Sequence, residues 1–245
     1  MLNKYILISL VGFFLILTAG QALPFEEDII KTSAGDLKIT CIAHGTLMFT
    51  FNNKIIHIDP VGSYADYNDM PKADLIFVTH EHGDHLDQEV IEILTKEDTT
   101  IVLTEICYEA IGKGEVMKNG ETATFKDIKV EAVPAYNIVH TRGENLPYHP
   151  KGDGNGYILT FGDKRVYVAG DTENTPEMKS LKNIDIAFLP MNLPYTMSPE
   201  MVANAAKAFR PAVLYPYHYS QTNPQELVTL LKDESDIEVR IRNLR

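Results

Sequence analysis

Cysteine and positive charge are both scarce in this chain. Cys41 and Cys107 are its only cysteines, far apart and in no CxxC spacing, so neither reads as a nucleophile or a metal ligand. In an exported protein the two could form a disulfide. Their apolar surroundings suit buried free thiols equally well. Lysine and arginine together number 22 against 34 aspartates and glutamates, a formal net charge of -12. That balance argues against nucleic acid as a partner, because phosphates need a basic face, and it would repel anionic lipid. The chain has no GxSxG and no Cys/His pair, hence no evident serine or cysteine nucleophile. No internal repeat and no linker divides the 245 residues, a length that suits one large α/β domain. A hydrophobic content of 44% is ample for its core.

The first 22 residues stand apart. Lys4 gives a short positive start, residues 5–17 an apolar stretch of signal-peptide length, and Gly20-Gln21-Ala22 a small-x-small cleavage site. A retained anchor is the rival reading, but the apolar stretch is shorter than the roughly 20 residues that a spanning helix needs. No cysteine follows it to carry a lipid. The expectation is an exported protein, periplasmic or secreted. Residues 1–22 would be a signal peptide and 23–245 one domain, with no stable membrane anchor after cleavage and with oligomeric state left open.

What the chain does have is concentrated in DLIFVTHEHGDHLD, residues 74–87. An apolar run ends at Thr79 and then releases His80, His82, Asp84 and His85 within six positions. Residues two apart on an extended segment project to the same side. His80 and His82 can therefore converge on one metal ion, while Gly83 permits a tight turn that sends Asp84 and His85 toward a second. Imidazole nitrogen and carboxylate oxygen are ligands that zinc and its neighbours accept. A solvated loop explains one or two such histidines more readily than it explains this spacing.

Around that stretch the pattern reads as short strands at 37–43, 47–51 and 54–58, with Asn52-Asn53 as a hairpin turn. A helix at 88–96, a strand at 101–103 and a helix at 105–111 closed by Gly112 suggest parallel crossovers. Hairpins return at 121–133 and at 156–169. Strands at 184–189 and 213–217 flank a helix at 199–209 capped by Ser198, and a helix at 224–231 precedes a last strand at 237–241. Residues 137–155 lack periodicity and are too polar for core, so they read as a loop covering a substrate. Asp171, in VYVAGDT, and His218, in PYHY, each follow a strand. His44 reads equally well as a structural histidine or a pocket-rim residue, and His57 as structural.

The HxHxDH pattern of 80–85 resembles the metallo-β-lactamase superfamily. The stretch AHGTLMFTFNNKIIHIDP is similar to the opening hairpins of its lactonase-like branch of metal-dependent hydrolases. The resemblance implies a four-layer αββα sandwich (α/β class) holding two divalent metal ions, Zn2+ with Mn2+ or Fe2+ as alternatives. It implies Asp171 as a ligand shared by both ions and His218 as the last histidine of the second site, with Asp84 also orienting or deprotonating a metal-activated hydroxide. One position departs from the family: a histidine is expected where the chain has Asn137, in AVPAYN. His149, or less readily His140, would take its place as a ligand; with neither, the first site would be weak and one ion tightly held. Asn137 and Tyr195 are candidate substrate contacts, Glu81 and Asp59 candidate acceptors for imidazole N–H groups, and Arg142 and Lys151 either anion contacts or ordinary loop charges. The implied activity is hydrolysis of a small-molecule ester, lactone or phosphodiester. An exported metal-binding protein without activity, a di-iron redox protein on the same fold and a β-lactam hydrolase stay open as rivals.

Overall fold

The computed structural model describes residues 25–245, so the expected leader at 1–22 lies outside the described residues. Within them the chain makes the same sheet twice. Strands β1 (Glu26–Thr32), β2 (Gly35–Ala43), β3 (Thr46–Phe51) and β4 (Lys54–Ile58) form an antiparallel meander. Strands β5 (Leu75–Phe77), β6 (Thr100–Leu103) and β7 (Glu115–Val116) add to it in parallel. The second sheet repeats this order. Strands β8 (Thr122–Phe125), β9 (Ile128–Ala135), β10 (Gly154–Phe161) and β11 (Lys164–Val168) are antiparallel, then β12 (Ile186–Pro190), β13 (Val213–Tyr217) and β14 (Glu238–Val239) are parallel. The duplication left no repeat in the sequence, because what recurs is strand order and not residue identity.

Local chemistry accounts for the turns and caps. Asn52 and Asn53, at φ 48° and 62°, close the β3–β4 hairpin, and Lys126 and Asp127, at 48° and 67°, close β8–β9. Paired left-handed residues match the twist of two-residue hairpins. Helices α1 (Gln88–Leu94), α2 (Glu105–Ile111), α3 (Pro176–Lys179) and α4 (Pro199–Phe209) begin at Asp87, Thr104, Thr175 and Ser198. Each of those side chains accepts a bond from a backbone N–H of its helix's first turn. Helix α5 (Gln225–Leu230) lacks such a cap. No helix among the described residues is long and apolar enough to cross a membrane.

Alternation along the strands separates the layers. Phe49 of β3 meets Phe161 of β10 and Phe188 of β12, with ring centroids 5.8 and 6.2 Å apart, and Phe77 meets Tyr157 at 5.1 Å. The Tyr157 hydroxyl donates to the Val78 carbonyl at 3.0 Å, tying the sheets together. On the outer face of the first sheet Met48, Ile76 and Leu103 pack with Val90, Ile91 and Leu94 of α1 and with Cys107 of α2. On the outer face of the second, Tyr167 meets Phe209 of α4 edge-on at 6.2 Å. The fold is a four-layer αββα sandwich.

The edge strand β1 carried no sequence signal, since Glu26, Glu27, Asp28 and Lys31 interrupt its alternation and it is half exposed. The expected loop also ends earlier than its pattern suggested, for Gly154 and Asn155 pair with Ala135 and Pro134 of β9. The cysteines are both free. Cys41 belongs to the core between the sheets and Cys107 to the core outside the first sheet, which removes the disulfide from consideration. Burial pushes the two thiols up, to about 12 for Cys41 and about 11 for Cys107. Both are therefore expected to stay unreactive toward a thiol reagent in the native protein and to react only on unfolding, with a melting temperature unchanged by reductant. A reductant-dependent melt would contradict this assignment.

Candidate metal centre

Every candidate ligand but His149, which the 136–153 loop carries, sits where a strand ends or just beyond it, at the carboxyl edge shared by the two sheets. This is where α/β sheets commonly bind ligands. Asp59 follows β4, the 80–85 cluster follows β5, Asp171 follows β11 and His218 follows β13. Asp59 anchors the first of these turns from inside. Its carboxylate accepts from the Thr79 N–H at 2.8 Å and the Thr79 hydroxyl at 2.6 Å, and lies 2.8 Å from His85 Nδ1. With Nδ1–H donated to Asp59, His85 presents Nε2 to the site. A tight approach fixes the ring further: a Cβ on Gly45 would lie 2.6 Å from His85 Cε1.

Three groups of donors result, each with its ligand atoms within 4.8 Å of one another: His80, His82 and His149; His44, Asp84, His85 and His218; and His80, His85 and Asp171. Asp171 lies between the first two. Its Oδ2 is 3.4 Å from His149 Nε2 and 3.3 Å from His218 Nε2, and its Oδ1 is 3.4 Å from His85 Nε2. Asp84 Oδ2 stands 3.3 Å from His44 Nε2 and 3.6 Å from His218 Nε2. The Nε2 atoms of His80, His85 and His218, and Oδ1 of Asp171, are buried without a hydrogen-bond partner among the described residues. Unpaired buried polar atoms are costly, and four that converge from different elements fit divalent cations as their partners.

Protonation is consistent with that fit at His80 and His149, while His85 would give up a proton on ligation. Burial pushes His80 well below its ordinary value and His149 down to about 4, so both imidazoles are neutral, as ligation requires, at neutral pH. Burial opposes charge on His85 too, but the Asp171 and Asp59 carboxylates outweigh it and raise that ring to about 9. Asp171 and Asp84 are held well below the usual carboxylate range. In each, burial acts the other way and is overcome by neighbouring histidines, His218 foremost.

A family model described as the beta-lactamase superfamily domain matches residues 38–218, the span that holds all of these side chains. The chain belongs to the beta-lactamase superfamily. It is 31% identical over 204 residues to a UPF0173 metal-dependent hydrolase from Methanopyrus kandleri, covering 78% of this chain and 87% of that one. The crystal structure of a Parabacteroides distasonis protein assigned as a metal-dependent hydrolase is 54% identical, with a TM-score of 0.86, and covers 90% of this chain and 100% of its own. Igni18, a metallo hydrolase from Ignicoccus hospitalis, is 25% identical with a TM-score of 0.70, and covers 85% of this chain and 95% of its own.

Within this superfamily domain the structure revises several expectations. Asn137 does not face a substrate: it is buried with both ends of its amide engaged. Its Nδ2 donates to Glu173 Oε1 and to the Tyr195 carbonyl, and its Oδ1 accepts from the His149 backbone and from His149 Nδ1 at 2.7 Å. Asn137 thus holds the His149 ring, leaving His149 Nε2 3.2 Å from His82 Nδ1. His140 is no rival ligand, because it joins none of the three donor groups, and its Nδ1 lies 2.6 Å from Glu173. Glu81 comes no closer than 4.0 Å to His82 and supports no imidazole. Lys151 pairs with Glu177 instead of facing the cavity. Gly83 has no positive φ and a Cβ there would meet nothing, so the turn to Asp84 does not require glycine. Tyr195 does line the cavity.

The sequence reading missed Glu173 and left His44 undecided. Glu173 is fully buried and accepts from the N–H groups of Ile138, Val139 and His140 at 2.7 to 2.8 Å. Its one signal was a second carboxylate two places after Asp171. Asn137→Ala is expected to leave the fold intact but to weaken zinc affinity about 10- to 100-fold, the usual effect of losing an imidazole's outer partner. Competition with a chromogenic chelator measures it, and unchanged affinity would show that His149 needs no such support.

Proposed function

We propose that the protein is a metal-dependent hydrolase holding two divalent cations, zinc foremost, and acting on a small ester, lactone or phosphodiester. His80, His82 and His149 would form one site and Asp84, His85 and His218 the other, with Asp171 shared. The observation that carries this reading is the convergence of partnerless buried donors, three imidazole Nε2 atoms and one carboxylate oxygen, on one volume. A donor set of nitrogen and oxygen without thiolate suits zinc and also admits manganese or iron. The relatives named above as metal-dependent hydrolases support it.

Cations bound there would supply Lewis-acid polarisation of the scissile bond and lower the pKa of water toward neutrality. The chain's own residues do the rest. The Asp84 side chain is 44% exposed and lines a cavity of about 550 Å³, which suits a small molecule. Kept ionised by His218 and His44, its carboxylate can take the proton of the attacking water. His44, its ring tilted 38° against that of His218 with centroids 3.6 Å apart, braces that carboxylate and closes one side of the site. Asn137 and Asp59 keep the His149 and His85 rings turned inward, and Tyr195 offers the substrate a wall with a polar tip. We also propose that residues 1–22 direct export and are removed.

His80→Ala is expected to lose about one metal equivalent per chain and most turnover. Elemental analysis and a panel of 4-nitrophenyl esters, lactones, bis(4-nitrophenyl) phosphate and a chromogenic cephalosporin would follow both. A variant keeping full metal content and turnover would sink the reading, and metal without turnover in the wild type would favour the sequestering alternative. For the leader, N-terminal sequencing of the expressed full chain is expected to start near Leu23 outside the cytoplasm. An intact Met1 chain held in the cell membrane would overturn export with cleavage.

A further inference from the structure

We propose that Arg142 selects the substrate by taking an anionic group, a carboxylate or phosphate, on the part of the molecule away from the bond that is cut. The proposal rests on the hydrolase reading above and names the substrate class of that site. Arg142 lines the same cavity as His82, Asp84, His149, Asp171 and His218. The other ionised side chains of that wall, Asp84 and Asp171, are acidic, so away from the metal ligands this guanidinium is the cationic side chain that a substrate anion would meet.

Its surroundings distinguish it from four of the five other arginines of the chain, the C-terminal Arg245 being the exception. Arg165 is paired with Glu131, Arg210 with Glu234 and Asp236, and Arg240 and Arg242 with Asp28. In a protein with 34 carboxylate residues against 22 lysines and arginines, a paired arginine is the ordinary outcome. Arg142 has no ion-pair partner among the described residues. It is nevertheless held in place: its backbone N–H donates to the Leu146 carbonyl at 2.8 Å and its Nη2 to the Tyr148 carbonyl at 2.6 Å. The guanidinium carbon lies 5.9 Å from the Tyr148 ring centroid. Tyr148 is in turn braced edge-on by Tyr195, with centroids 5.0 Å apart. One amino group is thereby engaged, while the remaining N–H donors of the planar fork keep the geometry that matches a carboxylate or phosphate. The two tyrosine rings give the body of such a substrate an apolar wall.

The test uses the full zinc-loaded protein and three hydroxamates, whose chelating ends are alike. Succinic monohydroxamic acid carries a distal carboxylate, 3-phosphonopropionohydroxamic acid a distal phosphonate, and butyrohydroxamic acid a neutral methyl. By calorimetry the wild type is expected to bind at least one anionic probe about tenfold or more tightly than the neutral one, and Arg142→Ala to erase that advantage without moving the neutral probe. Whichever anion wins supports the proposal and tells carboxylate from phosphate. Arg142→Lys, with the charge but not the fork, is expected to restore only part of the advantage. Equal binding of all three probes by the wild type, or an equal loss across all three in Arg142→Ala, overturns the proposal and leaves the hydrolase reading standing. A wild type that takes up no zinc sinks the hydrolase reading and the proposal with it.

Discussion

A carboxylate buried among imidazoles is what the rest of this structure is arranged to hold. Asp171 is 4% exposed and has His85, His149 and His218 within 3.4 Å of its oxygens. Taking an ionised carboxylate out of water costs several kcal/mol unless charge or hydrogen bonds compensate. In the protein alone His85 supplies that compensation as the ring whose protonation is raised. Divalent cations would supply it more completely, by meeting the Nε2 atoms and the Asp171 oxygen that the protein leaves unpaired. Stability and chemistry therefore depend on the same few atoms.

Those atoms are aimed by a ring of acceptors one step further out. Asp59 receives Nδ1–H of His85, Asn137 receives Nδ1–H of His149, and Glu173 holds both Asn137 and the start of the loop that carries His149. Such partners decide which imidazole nitrogen faces the metal. The amide at 137 acts as a holder for a ring twelve residues later. The loop reaches over the site because its first turn is tied down, three successive backbone N–H groups meeting one buried carboxylate.

The duplicated sheets explain why ligands from so many places meet. In each half the parallel strands follow the meander, and their carboxyl ends reach the same edge of the sandwich. The first half contributes Asp59 and the 80–85 cluster, and the second contributes Asp171 and His218. The cores inside and outside the first sheet hold these ends in register through contacts such as Phe77 with Tyr157 and Tyr157 with Val78. A close-packed interior transmits little play to the site.

Much of this was legible in the residues alone. The 80–85 cluster and the capped helix at 199–209 could be read directly, because ligand spacing, strand alternation and caps are local and span a few residues, whereas the roles of Asp171 and His218 were expected only from the family resemblance. His149 was legible only as one of two options, and Asn137 was misread, because both depend on how an eighteen-residue loop (136–153) folds back on Glu173 and Tyr195. The structure alone decided that Cys41 and Cys107 lie on opposite sides of a sheet, that β1 completes an edge, and that His44 reaches Asp84. Short-range pattern determined which side chains are available and roughly which strand delivers each. Which of them touch was decided by packing between residues as far apart as His44 and His218, since a distance across the core has no counterpart in the order of the chain.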